Sequence, residues 1–380
     1  MAVFLCLTTT LSAVSEEEAP SYFARVEEAL RLCGGDWESM VPVAEEAATR
    51  LAGGGAFWCG GQPSLVSELC GRAGGFMMLK GLGDKAPAAE DVVLYIPQDG
   101  VATPDSLSNS SAYVIVFGRP CEGTNWPCFS NHADEAGISP TLANAIPGWI
   151  FTGELVAALT RLGKMPVMYE SIGAYDGAAR IREFENGAIA WHDEHHVSPI
   201  DAGVLGGRYV EIMIARSRRL DADQRDRVET AARWAAEAHA GGKATVMYSM
   251  GHLFPDEIGE TAIGSLFRSG VWNAGFRRHA VPDDTYAEGD LIVHIGYQHP
   301  PSRLLERARS AGARVAYLSV YADREFAKDP GVIWIDCMWP WPDAVVDVKG
   351  YDIPILASSG ILNGAVAWEI YRLMKLGLGQ

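Results

Sequence analysis

One pattern of apolar and polar positions occurs twice along the chain. Residues 44–76 and 231–267 each read as an Ala-rich amphipathic helix, Ala-Gly-Gly, a short apolar strand, a Gly-containing turn and a second helix. A second unit recurs at 155–171 and 305–321, where helical spacing runs into a Gly hinge and then an apolar strand. Strand-like runs at 112–118 and 291–296 lie upstream, and Gly-rich helices at 202–213 and 359–370 close each half. Alternating helices and strands in this order predict an α/β fold with parallel sheets. The expectation is two doubly wound domains, 22–220 and 221–380, the second opened by a helix beginning near Asp221. Residues 119–147, rich in Pro, Gly, Asn and Cys, read as an inserted loop or lid.

Composition adds exclusions. The 380 residues carry 48 acidic against 31 basic side chains, a formal net charge of -17, with 48% hydrophobic residues. A nucleic-acid binder needs a basic face to displace counterions. The only basic runs are Arg216-Ser217-Arg218-Arg219 and Arg277-Arg278, so nucleic acid and anionic membranes are not expected partners. A local basic pocket for one small anion stays open. Seven cysteines with no CxxC pair argue against a disulfide framework or a four-Cys zinc site. Cys59 and Cys70 are expected as buried thiols. The first 15 residues lack a basic n-region and are interrupted by Thr8-Thr9-Thr10. A cytoplasmic protein is expected, with a cleaved leader as the alternative.

The candidate chemistry sits in the Gly turns. In open parallel sheets, ligands bind beyond the carboxyl ends of the strands. There the first half offers Gly60, Gly61, Gln62 and Ser64, the serine either capping a helix or holding an anion. The second half offers Ser249, Gly251 and His252, followed by Glu257; Glu68 occupies a related helix in the first half. A carboxylate and an imidazole there can move protons on a sugar carbon and its oxygen; read plainly, they are a surface Glu and a capping His. Ser358, Ser359 and Asn363 stand at the start of the last helix, to bind phosphate or to cap it. No GxGxxG occurs at the first turn and no GxxxxGK[ST] anywhere, so NAD and ATP are not expected. The run His192-Asp193-Glu194-His195-His196 suits zinc or a similar divalent ion through His192, His195 and His196, or forms a solvated polar loop. Trp334, Trp339 and Trp341 would stack on a sugar or anchor the core.

Taken together, residues 56–75, the crossover from Gly289-Asp290-Leu291-Ile292-Val293 to Val315-Ala316-Tyr317-Leu318-Ser319, and the closing Ser359-Gly360-Ile361-Leu362-Asn363 helix resemble the sugar isomerase (SIS) domain family over most of both halves. The resemblance implies flavodoxin-like domains, each a five-stranded parallel sheet with helices on both faces, and phosphosugar binding. Aldose–ketose isomerases, an etherase and amidotransferase isomerase domains belong to that family. Two fused copies also look like a sugar-phosphate-binding regulator of the glucokinase-regulator type. One departure stands out. The loops Phe117-Gly118-Arg119-Pro120 and Ile295-Gly296-Tyr297-Gln298-His299-Pro300 lack the family's Ser/Thr-rich phosphate contacts, which points to an unphosphorylated or differently charged sugar.

The leading expectation is a tandem sugar or sugar-phosphate isomerase working by proton transfer next to a carbonyl. Glu68 or Glu257 would be the base and His252 the acid/base for ring opening. Ser64, Ser249, Ser358 and the Gly60-Gly61 backbone would hold the anionic end. The alternatives are a non-catalytic sugar-phosphate-binding regulator or scaffold, and a metal-dependent hydrolase or lyase centred on the histidines. No organic cofactor is expected; the partner is a small sugar or sugar phosphate, and a homo-oligomer is allowed for.

Overall fold

The computed structural model describes residues 19–98, 100–172, 176–187, 191–249, 253, 257–259, 261–270 and 284–380. Among these residues ten short strands build two sheets, the central strands rich in β-branched and aromatic residues. The first contains β1 (Phe57–Gly61), β2 (Leu79–Gly81), β3 (Val92–Ile96), β4 (Tyr113–Phe117) and β5 (Cys128–Phe129), in the order β2-β1-β3-β4-β5. The second contains β6 (Thr245–Ser249), β7 (Arg268–Ser269), β8 (Leu291–Ile295), β9 (Arg314–Ser319) and β10 (Val332–Asp336), in the order β7-β6-β8-β9-β10. Every pairing in both sheets is parallel. Counted from its own first strand, each sheet runs 2-1-3-4-5, the flavodoxin-like order. The fold is α/β, with two five-stranded parallel sheets flanked by helices, as the sequence predicts.

Alternation along the strands decides what each sheet face buries. In the first sheet Val92, Leu94, Ile96, Ile115 and Phe117 face a central core, while Val93, Tyr95, Val114 and Val116 pack on the outside with Leu107. In the second sheet Met247, Val293, Ile295 and Leu318 join that same central core, while Val246, Tyr248, Val315 and Tyr317 pack outward on Leu304 and Leu305. One apolar core thus serves both inner faces. It is filled by four helices that contact one another: Tyr22–Gly35, Pro140–Arg161, Val204–Ala240 and Ser359–Gly377. Pro140–Arg161 is long and apolar enough to cross a membrane, and its most apolar window is wholly buried inside the protein, as a core helix requires.

Several expectations are corrected by this topology. By strand order the partner of β8 is β3, not 112–118, which is β4; both are continuous apolar runs, and such runs carry no register of their own. The 305–321 unit is the helix Ser302–Ala311 followed by β9. Its supposed partner is not equivalent: Leu155–Arg161 ends the core helix, and Pro166 and Met168 make only isolated antiparallel bridges, to Trp191 and Phe76. Residues 119–147 are not a lid. They contain β5, the turn Ala133–Ala136 and the start of the core helix, with Ala143, Ala145 and Ile146 buried. Pro140 reads as a breaker but occupies the first helical turn, where its missing N–H costs nothing. No helix starts near Asp221, which lies inside the unbroken 37-residue helix Val204–Ala240. For the same reason 202–213 opens that long helix; the segment that follows β5 as Ser359–Gly377 follows β10 is Pro140–Arg161.

Gly61 is fixed by the sheet. Its φ is 94°, and a Cβ there would lie 1.9 Å from the Ile96 carbonyl oxygen on β3. Gly61→Ala should therefore lower stability by at least about 2 kcal/mol in urea unfolding; an unchanged midpoint would show that the β1–β3 contact yields freely.

Candidate functional site

The first sheet's switch point lies between the carboxyl ends of β1 and β3. Gln62 stands at the N-cap position of the helix Pro63–Leu69 without a side-chain capping bond, and its backbone N–H donates to Ile96 O at 2.9 Å. Its side chain enters a chain of amides: Asn131 Nδ2 donates to Asn144 Oδ1 (2.7 Å), Asn144 Nδ2 to Gln62 Oε1 (3.0 Å) and Gln62 Nε2 to Thr141 Oγ1 (3.0 Å). Gln62, Asn131 and Thr141 remain partly exposed. Gly60 is buried against Leu82, and Gly61 is exposed at the crevice. Ser64 does not cap the helix: it is 1% exposed, and its Oγ has no hydrogen-bond partner.

Glu68 is fully buried on the face that also carries Ser64. Trp149 Nε1 donates to its Oε1 at 3.1 Å, and Arg72 Nη2 lies 3.7 Å away. Burial pushes its pKa up, against the pull of Arg72. Glu68 also presses on the last helix, since a Cβ on Gly360 would lie 2.3 Å from its Oε1. Glu257 is equally buried. It accepts from Ser139 Oγ (2.9 and 3.1 Å) and from Trp368 Nε1 (3.0 Å). The arrangement is reciprocal. Ser139 and Ser358 are the N-caps of the two helices after the last strands; Asn144 and Asn363 stand five residues beyond them, and Trp149 and Trp368 ten. Each tryptophan binds the glutamate of its own half, and each glutamate meets the helix start of the other.

Ser358 and Ser359 stand at a helix N-terminus, where free N–H groups and the dipole attract an anion. The anion is Asp343. Its Oδ1 accepts from the backbone N–H of Ser358 (3.1 Å) and of Ser359 (2.7 Å). Ser358 Oγ donates to Asp343 O (2.9 Å) and Ser359 Oγ to Asp343 Oδ2 (3.0 Å). The donors expected to face a phosphate face this carboxylate instead. Asp343 has φ 91°, a costly backbone state for a non-glycine residue that these contacts hold in place. Arg72, 1% exposed, closes the cluster by pairing with Asp343 Oδ2 at 3.1 Å and donating to Ser359 Oγ and Tyr297 Oη. Burial works against its charge, but Glu68, Tyr297 and Asp343 outweigh that and hold its pKa above the ordinary value. Asn363 is also turned inward: Trp339 Nε1 donates to its Oδ1 (2.9 Å) and its Nδ2 to Gly296 O (3.3 Å). Trp339 is thus a core anchor.

In the second half Ser249 is half-buried at the end of β6 and pairs with Ile295. Gly251 and His252 lie outside the described residues. Cys59 is buried as expected, but Cys70 is only half-buried, at the end of its helix. Of the histidine run, His192 and His195 come together with Glu194, one ligand atom of each lying within 4.8 Å of the others. His196, at φ 47°, is not part of that group. Sequence reasoning missed Asp343, Tyr297, Asn144 and the Ser139 cap, and used Arg72 only as part of a motif. Ser139 and Asn144 had a signal: S-x4-N-x4-W occurs at 139–149 and again at 358–368.

No family model and no curated protein matches the chain. Among solved structures, the chain is similar to the C-terminal domain of glucosamine-fructose-6-phosphate aminotransferase from Francisella tularensis, at 9% identity and a TM-score of 0.47, covering 96% of this chain and 98% of that one. It is also similar to a Salmonella typhimurium LT2 protein described as sugar binding, at 11% identity and a TM-score of 0.43, covering 93% and 99%.

Removing Arg72 strands two buried carboxylates. Arg72→Met should cost about 3–5 kcal/mol in denaturant unfolding; a loss under 1 kcal/mol would show that the cluster relaxes without it. The raised Glu68 pKa fixes a pH sign. The folded state keeps this proton where the unfolded chain has released it, so the carboxyl's contribution to stability falls as pH rises from the ordinary glutamate range through the raised value. Relative to the parent, Glu68→Gln should therefore become steadily less destabilising across that window in unfolding series at stepped pH. A pH-independent difference would contradict the assignment.

Proposed function

We propose that this protein binds an uncharged or weakly charged sugar at the carboxyl-end crevice of its first sheet, as a two-lobed, SIS-like binding protein without isomerase turnover. The observation that carries the reading is the Asn131–Asn144–Gln62–Thr141 chain at the switch point. Amides and hydroxyls both donate and accept, so they match the paired donor and acceptor character of sugar hydroxyls. A phosphate would instead favour fixed cations or free helix ends. The N-termini of the two helices that follow the last strands already meet the protein's own carboxylates, Asp343 at one and Glu257 at the other. The reading keeps the sequence resemblance, including its duplication of one α/β unit, and moves the site from the glutamates to the amides.

Glu68 and Glu257 support the absence of turnover, because a base must reach the proton it removes and both are fully buried on tryptophan and helix-end partners. One observation favours the isomerase reading: burial shifts the Glu68 pKa toward neutrality, the direction a general base needs. Calorimetric titration with paired sugars and sugar phosphates separates the two. The binding reading predicts saturable binding of the neutral sugar, weakened about 5–10-fold by Gln62→Ala through loss of one hydrogen bond of about 1 kcal/mol. It also predicts no deuterium uptake next to the carbonyl in D2O. Uptake abolished by Glu68→Gln would overturn it in favour of the isomerase.

A further inference from the structure

A second polar cluster lies between the turn at 191–196 and the connection from β11 (Ala344–Val346) to β12 (Ile355–Ala357). His192 is 4% exposed and its ring packs against His195 (centroids 5.0 Å) and Tyr351 (5.5 Å). Tyr351 Oη lies 2.7 Å from His192 Nδ1, fixing that ring by its inner nitrogen. His195 Nε2 is 3.7 Å from Glu194 Oε1 and 3.8 Å from Asp352 Oδ1. Arg180 approaches His192 Nδ1 at 3.4 Å, but its charge is matched by Glu170 at 3.5 Å and by Asp352. Lys164 pairs with Asp193 at 2.7 Å. Glu194 therefore adds negative charge to a patch whose two cations are already matched. Glu170, 5% exposed, keeps one carboxylate oxygen without a hydrogen-bond partner and contributes to the same field.

We propose that His192, Glu194 and His195 form a site for one divalent transition ion of the zinc class. Two imidazoles and a carboxylate are a donor set that zinc accepts, and their convergence within 4.8 Å is the separation such ligands need. Asp352 Oδ1 lies 3.8 Å from His195 Nε2 but stands outside the converging group, its carboxylate held by Arg180, so the remaining positions of the shell fall to solvent. Tyr351 is the outer partner that orients His192. An ion here would brace the 191–196 turn, and through the Tyr351 contact on His192 would steady its packing on the connection between β11 and β12, so its effect would be structural. The site shares no residue with the sugar crevice and does not depend on that reading.

The test uses the full chain stripped with chelator and dialysed. Zinc alone is titrated calorimetrically, cobalt is added separately and read by its visible ligand-field bands, and thermal midpoints are taken with and without zinc. One equivalent per chain, a four-coordinate cobalt spectrum and a higher midpoint with zinc are expected. His195→Ala, at a half-exposed position, should weaken binding at least tenfold and abolish the zinc-dependent rise, whereas His196→Ala should leave both intact. If the parent binds no stoichiometric zinc, or if His195→Ala binds as the parent does, the site does not exist as assigned. Should His192→Ala fail to fold, His195→Ala and Glu194→Gln still decide the question.

Discussion

The two sheets of this protein share one apolar interior, and that sharing constrains everything polar inside it. Four helices fill the space between the inner sheet faces, so the N-termini of several helices end in a region without water. Unpaired N–H groups there cost free energy comparable to lost hydrogen bonds. The chain meets this with carboxylates. Glu154 accepts from the Gly203 and Gly206 N–H groups at the start of the long helix, and Glu369 accepts from Tyr22 N at the start of the first. Asp343 takes the start of the last helix, and Glu257 faces Ser139 at the start of the core helix. Most of these contacts bridge distant parts of the chain, so the charges that satisfy the helix ends also fix how the halves lie together.

The same constraint reshapes the functional argument. In an α/β protein the glycine turn, the glutamate behind it and a serine at a helix start suggest an anion site with a base. Here burial and pairing use those groups up: Glu68 lies beneath Trp149 and beside Gly360, and Ser359 is held by Arg72 and Asp343. Among the described residues, the groups left partly open along the amide chain are neutral and bifunctional, the amides of Gln62 and Asn131 and the hydroxyl of Thr141, while the exposed Arg119 after β4 reaches Gln98 O beyond β3. On the proposed reading, recognition of hydroxyl groups takes the place of chemistry that needs a mobile charge.

Fold class was legible because strand runs such as Tyr113–Phe117 and Leu291–Ile295 are apolar apart from His294, as strands buried on both faces tend to be. Which run matched which was not, since continuous apolar strands differ only in their neighbours. The core helix was hidden by Pro140 and Pro147, which punctuate the sequence without ending the helix. Gln62, Glu68 and Glu257 were found from their positions after strands. Their partners were not, because Glu68 meets Gly360 and Ser139 meets Glu257 across separations that only tertiary folding closes. The spacing S-x4-N-x4-W was readable and would have supplied Ser139 and Asn144 together.

A common core and carboxylates at helix starts lock the two halves into one cooperative unit. Equilibrium unfolding in urea, followed by hydrogen exchange at β1–β5 and β6–β10 in the same samples, tests it most directly. The account predicts one transition, with protection in both sheets lost at the same urea concentration and with a slope suited to the whole chain. Two separate transitions, one sheet losing protection while the other keeps it, would contradict it.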